Sequence, residues 1–236
     1  MTISAVFLDL YQTLAYFHPE REQRQSLVLK EYGFEVELDA IRRAYLEADH
    51  DFTLVGMKTP LHRMSREERH PIYVRFQRVL METLGLGHVA HLAEEIYMRY
   101  WELHRDLRLY PDVMPALGEL REMGCRLGLI TNVTDDPSKD IEMLGLKDLI
   151  DTTVASCVEG IDKPHPRIFQ VAMSKLGTTP DRAVHVGDQL LADVEGATSA
   201  GMKAILLDRY DIQNGRHRPR IRSLLELPPL LRKGLE

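Results

Sequence analysis

Five short apolar runs, at 3–8, 126–131, 150–155, 183–186 and 204–207, constrain the fold of this chain more than any other feature. Each is strand-sized and nearly continuous in apolar residues rather than alternating, the pattern of a strand buried on both faces. From Pro111 onward the runs alternate with helical patterns. One runs to about Met123 and stops at Gly124, and a second lies near 138–144. A third covers 166–176 with Ile168, Phe169, Ala172 and Leu176 on one face, and a short one at 192–200 is capped by Gly201. Strand and helix in alternation predict an α/β fold, a Rossmann-like doubly wound parallel sheet with helices on both faces.

The first two runs are more than 100 residues apart, and the chain between them has a different character. Segment 26–32 is helical and ends at Gly33. Asp39 is expected to cap a helix that includes 41–46, and Ser65-Arg66-Glu67-Glu68 has the capping-box pattern. A helix over 79–84 ends at Gly85, and another covers 92–103. The expected organisation is a core domain made of residues 1–16 and 108–236, with an all-helical domain, 17–107, inserted after the first strand.

Composition removes several function classes. The 236 residues carry 30 Lys and Arg against 36 Asp and Glu, a net charge of −6. A mildly acidic chain has no long-range attraction to nucleic acid or anionic lipid, so neither is expected as a partner. No apolar run approaches the roughly 18 residues of a membrane helix, and no basic region precedes an apolar stretch at the N-terminus, so neither a span nor a signal peptide is expected. Cys125 and Cys157 sit singly in apolar segments, as in a reducing, cytoplasmic setting. The seven histidines between 18 and 104 lack zinc-ligand spacing. The basic segment 215–220 reads as a solvated loop. The Leu/Pro-rich 224–231 reads as a short helix and turn on the core, or as a dimer contact, so the chain is expected to be a monomer or a homodimer.

In an open parallel sheet, ligands bind beyond the carboxyl ends of the strands. The first strand ends at Asp9, with Thr13 four residues on; the second ends at Thr131-Asn132. The third leads to Lys163-Pro164, and the fourth ends at Gly187-Asp188, with Asp193 five residues later. Each residue alone reads as a turn or a cap. Together, in order and at strand ends, they read as a site. Asp9, Asp188 and Asp193 would repel one another unless a hard cation such as Mg²⁺ joined them with a substrate phosphate. Lys163 adds positive charge, Thr131 and Asn132 can donate to an anionic oxygen, and Asp9 can act as a carboxylate nucleophile. No dinucleotide fingerprint or P-loop follows the first strand. The expected partner is a small anionic molecule, such as a phosphate ester.

Four segments, Phe7-Leu8-Asp9-Leu10-Tyr11-Gln12-Thr13-Leu14, Ile130-Thr131-Asn132, Lys163-Pro164 and Val186-Gly187-Asp188 through Asp193, together resemble the motifs of the haloacid dehalogenase-like (HAD) hydrolase superfamily. The inserted helical unit is similar to the C1 cap of subgroup IA, and the chain looks most like the REG-2-like branch. The resemblance implies Asp9 as nucleophile and a Mg²⁺-dependent phosphatase activity through an aspartyl phosphate. It further implies Asp9, the Tyr11 carbonyl, Asp188 and Asp193 around the metal, with Thr13, Thr131, Asn132 and Lys163 about the phosphate.

One position departs from the phosphatase pattern. Tyr11 stands where the family's phosphatases carry a second Asp that protonates the leaving group and activates water. A phenol is a poor base near neutral pH. Tyr here is similar to the haloacid dehalogenases, whose halide leaves without a proton, and Arg42 falls near their halide-binding arginine. Gly187-Asp188 points the other way, since dehalogenases need no metal. Three readings follow: a phosphatase with a substituted proton donor, for which His18 is a candidate; a 2-haloacid dehalogenase; or a catalytically weak binding protein. The first is preferred.

Overall fold

The first apolar run becomes β1 (Ala5–Leu8), all four residues of it fully buried. In this computed structural model, which describes residues 3–213 and 215–235, β1 is followed by β2 (Ala15–His18), then α1 (Arg21–Glu31), α2 (Leu38–Lys58), α3 (Arg66–Thr83), α4 (Ala93–Glu102) and β3 (Asp106–Leu109). The chain continues through α5 (Val113–Glu122), β4 (Arg126–Thr131), α6 (Ser138–Met143), β5 (Thr152–Ala155), α7 (Ser156–Glu159), α8 (Pro166–Lys175) and β6 (Ala183–Gly187). It ends with α9 (Gly196–Ser199), β7 (Lys203–Leu207), β8 (Arg220–Ile221) and α10 (Leu227–Lys233).

Six strands form one parallel sheet in the order β5-β4-β1-β6-β7-β8. The strand made first therefore sits between strands made much later, with Leu8 level with both Leu129 and Val186. The doubly wound α/β architecture expected from the runs is present. One layer of its core joins Phe7, Ile130 and Val154 on the strands to Ile168, Phe169 and Val194 on the following helices. The chain divides into two compact units, residues 1–16 with 108–236 and residues 17–107. The second unit has its own core, including Val28, Leu29, Ile41, Leu80 and Ile96 from α1 to α4. Among the described residues no helix is long and apolar enough to cross a membrane.

Several local expectations change. Asp39 does not cap α2: the helix starts at Leu38 with Glu37 at the cap and no side-chain bond there. Asp39 lies in the first turn, where a carboxylate favours the helix dipole, and it pairs with Arg42 at 2.7 Å. Ser65 does form its capping box with Glu68. The helix expected over 192–200 is split into a π-helical turn, Leu190–Glu195, and the short α9. The basic segment 215–220 is loop as far as Pro219, and only its last residue, Arg220, enters β8. Arg220 holds that edge strand by reaching Asp208 and Asp211, both at 2.6 Å. The two-stranded ribbon of β2 and β3 escaped the reading because its strands are largely half-buried or exposed and so form no continuous apolar run. The C-terminal Leu/Pro segment packs on the core as α10 against α5.

Candidate active site

Asp9 follows β1 and extends the ladder by one bond, its amide donating to the Val186 carbonyl at 3.0 Å. The chain then turns tightly. Leu14 and Ala15 amides return to the Leu10 carbonyl, and Gln12 takes a left-handed φ of 63° that an L-residue seldom adopts. The turn brings fully buried Thr13 to Asp188, with its hydroxyl donating to Oδ1 at 3.4 Å.

Lys163 arrives from the segment between α7 and α8. Its Nζ donates to Asp9 Oδ1 and Asp193 Oδ1, both at 2.6 Å, and only 3% of the residue is exposed. Gly196 lets this segment approach, because a Cβ there would stand 2.9 Å from the Pro164 Cα. The Asn132 carboxamide brackets the main chain of Lys163, accepting from its amide at 2.7 Å and donating to its carbonyl at 2.9 Å. Asn132, expected to donate to a bound anion, thus also places the lysine, with one of its two N–H donors used for it.

Asp193 shares Oδ1 between Lys163 and His185 Nε2, the latter at 2.9 Å, while Oδ2 accepts from the Gln189 amide at 3.0 Å. Gly187 leaves the space this carboxylate fills: a Cβ would meet Asp193 Cγ at 2.2 Å. Burial alone would raise the Asp193 carboxyl, but the Lys163 ammonium and the His185 bond hold it well below the usual range. Burial lowers His185 against the pull of Asp193, and its Nδ1 is buried without a partner among the described residues. Burial, reinforced by the Asp193 charge, pushes Asp9 up to about 6 against the attraction of Lys163. Lys163 stays charged because its two carboxylates outweigh its burial.

Thr131 ends β4, its Oγ1 buried and without a partner among the described residues. A buried hydroxyl left unpaired costs about 1–3 kcal/mol, so this one is suited to a ligand oxygen. The Tyr11 hydroxyl donates to Asp140 on α6 at 2.5 Å, and burial followed by that bond raises its pKa. It is a held donor, not a base. Arg42 lies on α2 in the helical unit, where Asp39 at 2.7 Å and Glu20 at 3.9 Å accept its charge.

The donor set suits Mg²⁺ in kind, with an asymmetry. Asp9 and Asp188 bring hard oxygens to adjacent strand ends, whereas both oxygens of Asp193 are already engaged within the chain. Among the described residues no group of three or more acidic, His or Cys side chains is arranged to hold a metal. Two carboxylates are what Mg²⁺ uses when waters and a phosphate complete its shell.

Sequence reasoning missed His185, Asp140, Arg209 and Gln213. Arg209 donates to the Thr13 carbonyl at 2.8 Å and forms a bidentate pair with Asp112. Gln213 donates to the Asp188 carbonyl at 2.9 Å, and its own amide is held by Asp208. The signal was present. Asp208-Arg209 follows an apolar strand just as Asp9 does, and a histidine inside an apolar strand must find a partner.

The glyceraldehyde 3-phosphate phosphatase of Methanopyrus kandleri is 39% identical over 109 residues, covering 46% of this chain and 47% of that protein. The ribulose-1,5-bisphosphate 5-phosphatase of Halopiger xanaduensis is 28% identical over 212 residues, covering 87% and 84%. The chain spans about half the length of the first-named relative, and the same holds for the glyceraldehyde 3-phosphate phosphatase of Methanothermobacter thermautotrophicus, at 46%. A 2-haloacid dehalogenase from Pseudomonas syringae superposes with a TM-score of 0.59 at 24% identity over 98% of this chain and 99% of its own, a likeness of fold. Residues 3–201, which hold every strand-end residue from Asp9 to Asp193, match the haloacid dehalogenase-like hydrolases, and the chain belongs to that family.

Proposed function

We propose that this hydrolase is a phosphatase of small phosphorylated metabolites that uses Asp9 as its nucleophile. The observation that carries the reading is the buried Asp9–Lys163–Asp193 array at the carboxyl edge of the sheet, with the Thr131 hydroxyl, unpartnered among the described residues, at the end of the strand beside β1. The phosphatase names of the curated relatives support a phosphate ester as substrate. In this reading residues 1–16 and 108–236 are the catalytic core, residues 17–107 are a C1-type cap of subgroup IA, the chain is of the REG-2-like branch, and the setting is cytoplasmic.

Asp9 attacks phosphorus with one carboxylate oxygen, the bond from phosphorus to the alkoxy oxygen breaks with its electron pair going to the alkoxide, which takes a proton from solvent water, and an aspartyl phosphate forms. Water then attacks the phosphoryl group and frees Asp9. Lys163 and the Thr131 hydroxyl stabilise charge on the transferring group. Asp193 and His185 hold Lys163 rather than substrate or metal, and Asn132 does the same from the main-chain side. Mg²⁺, held by Asp9, Asp188 and the Tyr11 carbonyl, would supply electrostatic stabilisation of the phosphoryl oxygens. Thr13 positions Asp188, with its carbonyl fixed by Arg209.

The direct test is hydrolysis of p-nitrophenyl phosphate and of short 2-haloacids, each with Mg²⁺ and with EDTA. Mg²⁺-dependent release of p-nitrophenol supports the proposal. Metal-independent halide release without phosphatase activity would replace it with the dehalogenase reading, which the Tyr11 position favours. Turnover of neither substrate would favour the binding-protein reading.

Tyr11 limits leaving groups. It donates to Asp140 and stays protonated, so it supplies no base for the second half-reaction. Tyr11→Asp keeps the main-chain carbonyl and adds a carboxyl group. General acid–base assistance is worth about 10²–10⁴-fold, so turnover of unactivated alkyl phosphates should rise by roughly 10²-fold while p-nitrophenyl phosphate changes little. Steady-state rates on both esters check this. A folded, Mg²⁺-binding variant with no gain on alkyl esters would assign the proton transfer to another group.

A further inference from the structure

We propose that the helical unit carries an oxyanion-binding site built on Arg24 and Arg105. The charges of α1 are unevenly matched. Glu22 and Asp49 are both taken by Arg21, at 3.1 and 2.8 Å. Arg24, three residues along, is 3% exposed and forms no ion pair among the described residues. Its Nε donates to the Pro19 carbonyl at 3.2 Å, and its Nη1 is buried with no partner among them. The guanidinium lies 4.3 Å from the Tyr100 ring and 5.9 Å from that of Phe17.

Arg105 approaches the same Phe17 ring at 5.6 Å and lies 4.3 Å over Trp101, while its Nη1 donates to the Trp101 carbonyl at 3.1 Å. It too has no ion pair among the described residues. Burial and the nearby Arg24 charge both lower its pKa. Two guanidinium groups thus stand at one aromatic ring with no carboxylate paired to either among the described residues. Aromatic faces offset part of the cost of burying such cations, but a buried cation without a counter-ion remains expensive. The planar fork of a guanidinium matches the oxygens of carboxylate, phosphate or sulfate. The ligand class is therefore an oxyanion, either a second acidic group on the substrate or a free ion. The site does not depend on the phosphatase reading, and its test reads the helical unit directly.

Trp101 is the sole tryptophan of the chain, so its emission reports on Arg105. Sulfate, titrated against sodium chloride at equal ionic strength, should give a saturable change in Trp101 fluorescence. Arg24→Gln and Arg105→Gln should each weaken sulfate binding roughly tenfold or more, the loss of one charge-assisted contact, and Arg24→Lys should keep part of it. Should Arg24→Gln fail to fold by circular dichroism, half-buried Arg105 carries the test. If Arg105→Gln also raises KM for 3-phosphoglycerate but not for p-nitrophenyl phosphate, the oxyanion belongs to the substrate. If both KM values hold while the sulfate response is lost, it is a free ion. No sulfate-specific change in the wild-type protein, or an undiminished response in both Gln variants, overturns the proposal and leaves Nη1 to an ordered water.

Discussion

Replacing Asp9 with Asn should abolish p-nitrophenyl phosphate hydrolysis and, above about pH 6, make the protein more stable. The first effect follows from the loss of the nucleophile. Removing such a group costs on the order of 10⁴-fold or more in turnover. The second follows from burial, which raises the Asp9 carboxyl from 3.8 to about 6. The folded state then holds this proton more tightly than the unfolded chain does, so ionisation opposes folding. The penalty is absent below about pH 4, where both states are protonated, grows between the two values, and is complete above about pH 6. A shift of about two units corresponds to about 3 kcal/mol, or a melting temperature higher by roughly 6–12 °C in a chain of this size. Asn, neutral at every pH, should show that gain near pH 7.5 and lose it near pH 4. Paired thermal melts and rate measurements check both effects. A variant that loses activity and also melts lower near pH 7.5 would show that the charged Asp9–Lys163 pair holds the site together more than burial strains it.

Lys163→Met should have the opposite sign. The ammonium is shared by two buried carboxylates, and its removal leaves Asp9 and Asp193 facing each other beside a His185 whose pKa burial lowers. Removing one partner of a buried ion pair typically costs about 3–5 kcal/mol. In the wild-type protein Asp193, held low by Lys163 and His185, contributes stability above its unfolded value that is lost only in strong acid. Without Lys163 both carboxyls rise, so the variant should be weakest above about pH 6 and recover toward wild type as acid protonates them. The cost should shrink in the Asp9→Asn background, where only one carboxylate is stranded. Denaturant titrations of the four proteins of this cycle measure the coupling. An additive result would place the two side chains in independent roles.

The architecture was legible because burial on both faces forces apolar runs, and the site was legible because parallel strands deliver their following residues to one edge. Asp9, Thr131, Lys163, Asp188 and Asp193 could all be placed by that rule. The rule says where a residue arrives, not what it touches. Asn132 and Thr131 look interchangeable as donors in sequence, yet one brackets the Lys163 main chain and the other has no partner among the described residues. Asp193 and Asp188 look like equivalent acids, and only the closeness of Gly187 and His185 separates them. Arg209 and Gln213 act through main-chain carbonyls, which carry no residue-type signature. The β2–β3 ribbon was hidden because its strands are largely half-buried or exposed, so no continuous apolar run marks them.

The sheet order also has a consequence for the chain as it is being made. β1 leaves the ribosome first, yet its neighbours, β4 and β6, begin only at Arg126 and Ala183. Until then Ala5–Leu8 has both hydrogen-bonding edges bare, the state in which strands pair with the wrong partner. Residues 17–107 face no such delay, because their core is contiguous in sequence and rich in short-range helical contacts. Nascent molecules would therefore carry a finished helical unit behind an unpaired, fully apolar strand for much of synthesis. Ribosome-bound chains halted before residue 126 are then the species most exposed to aggregation, and the stretch a holding chaperone would need to cover is the strand that ends at the nucleophile.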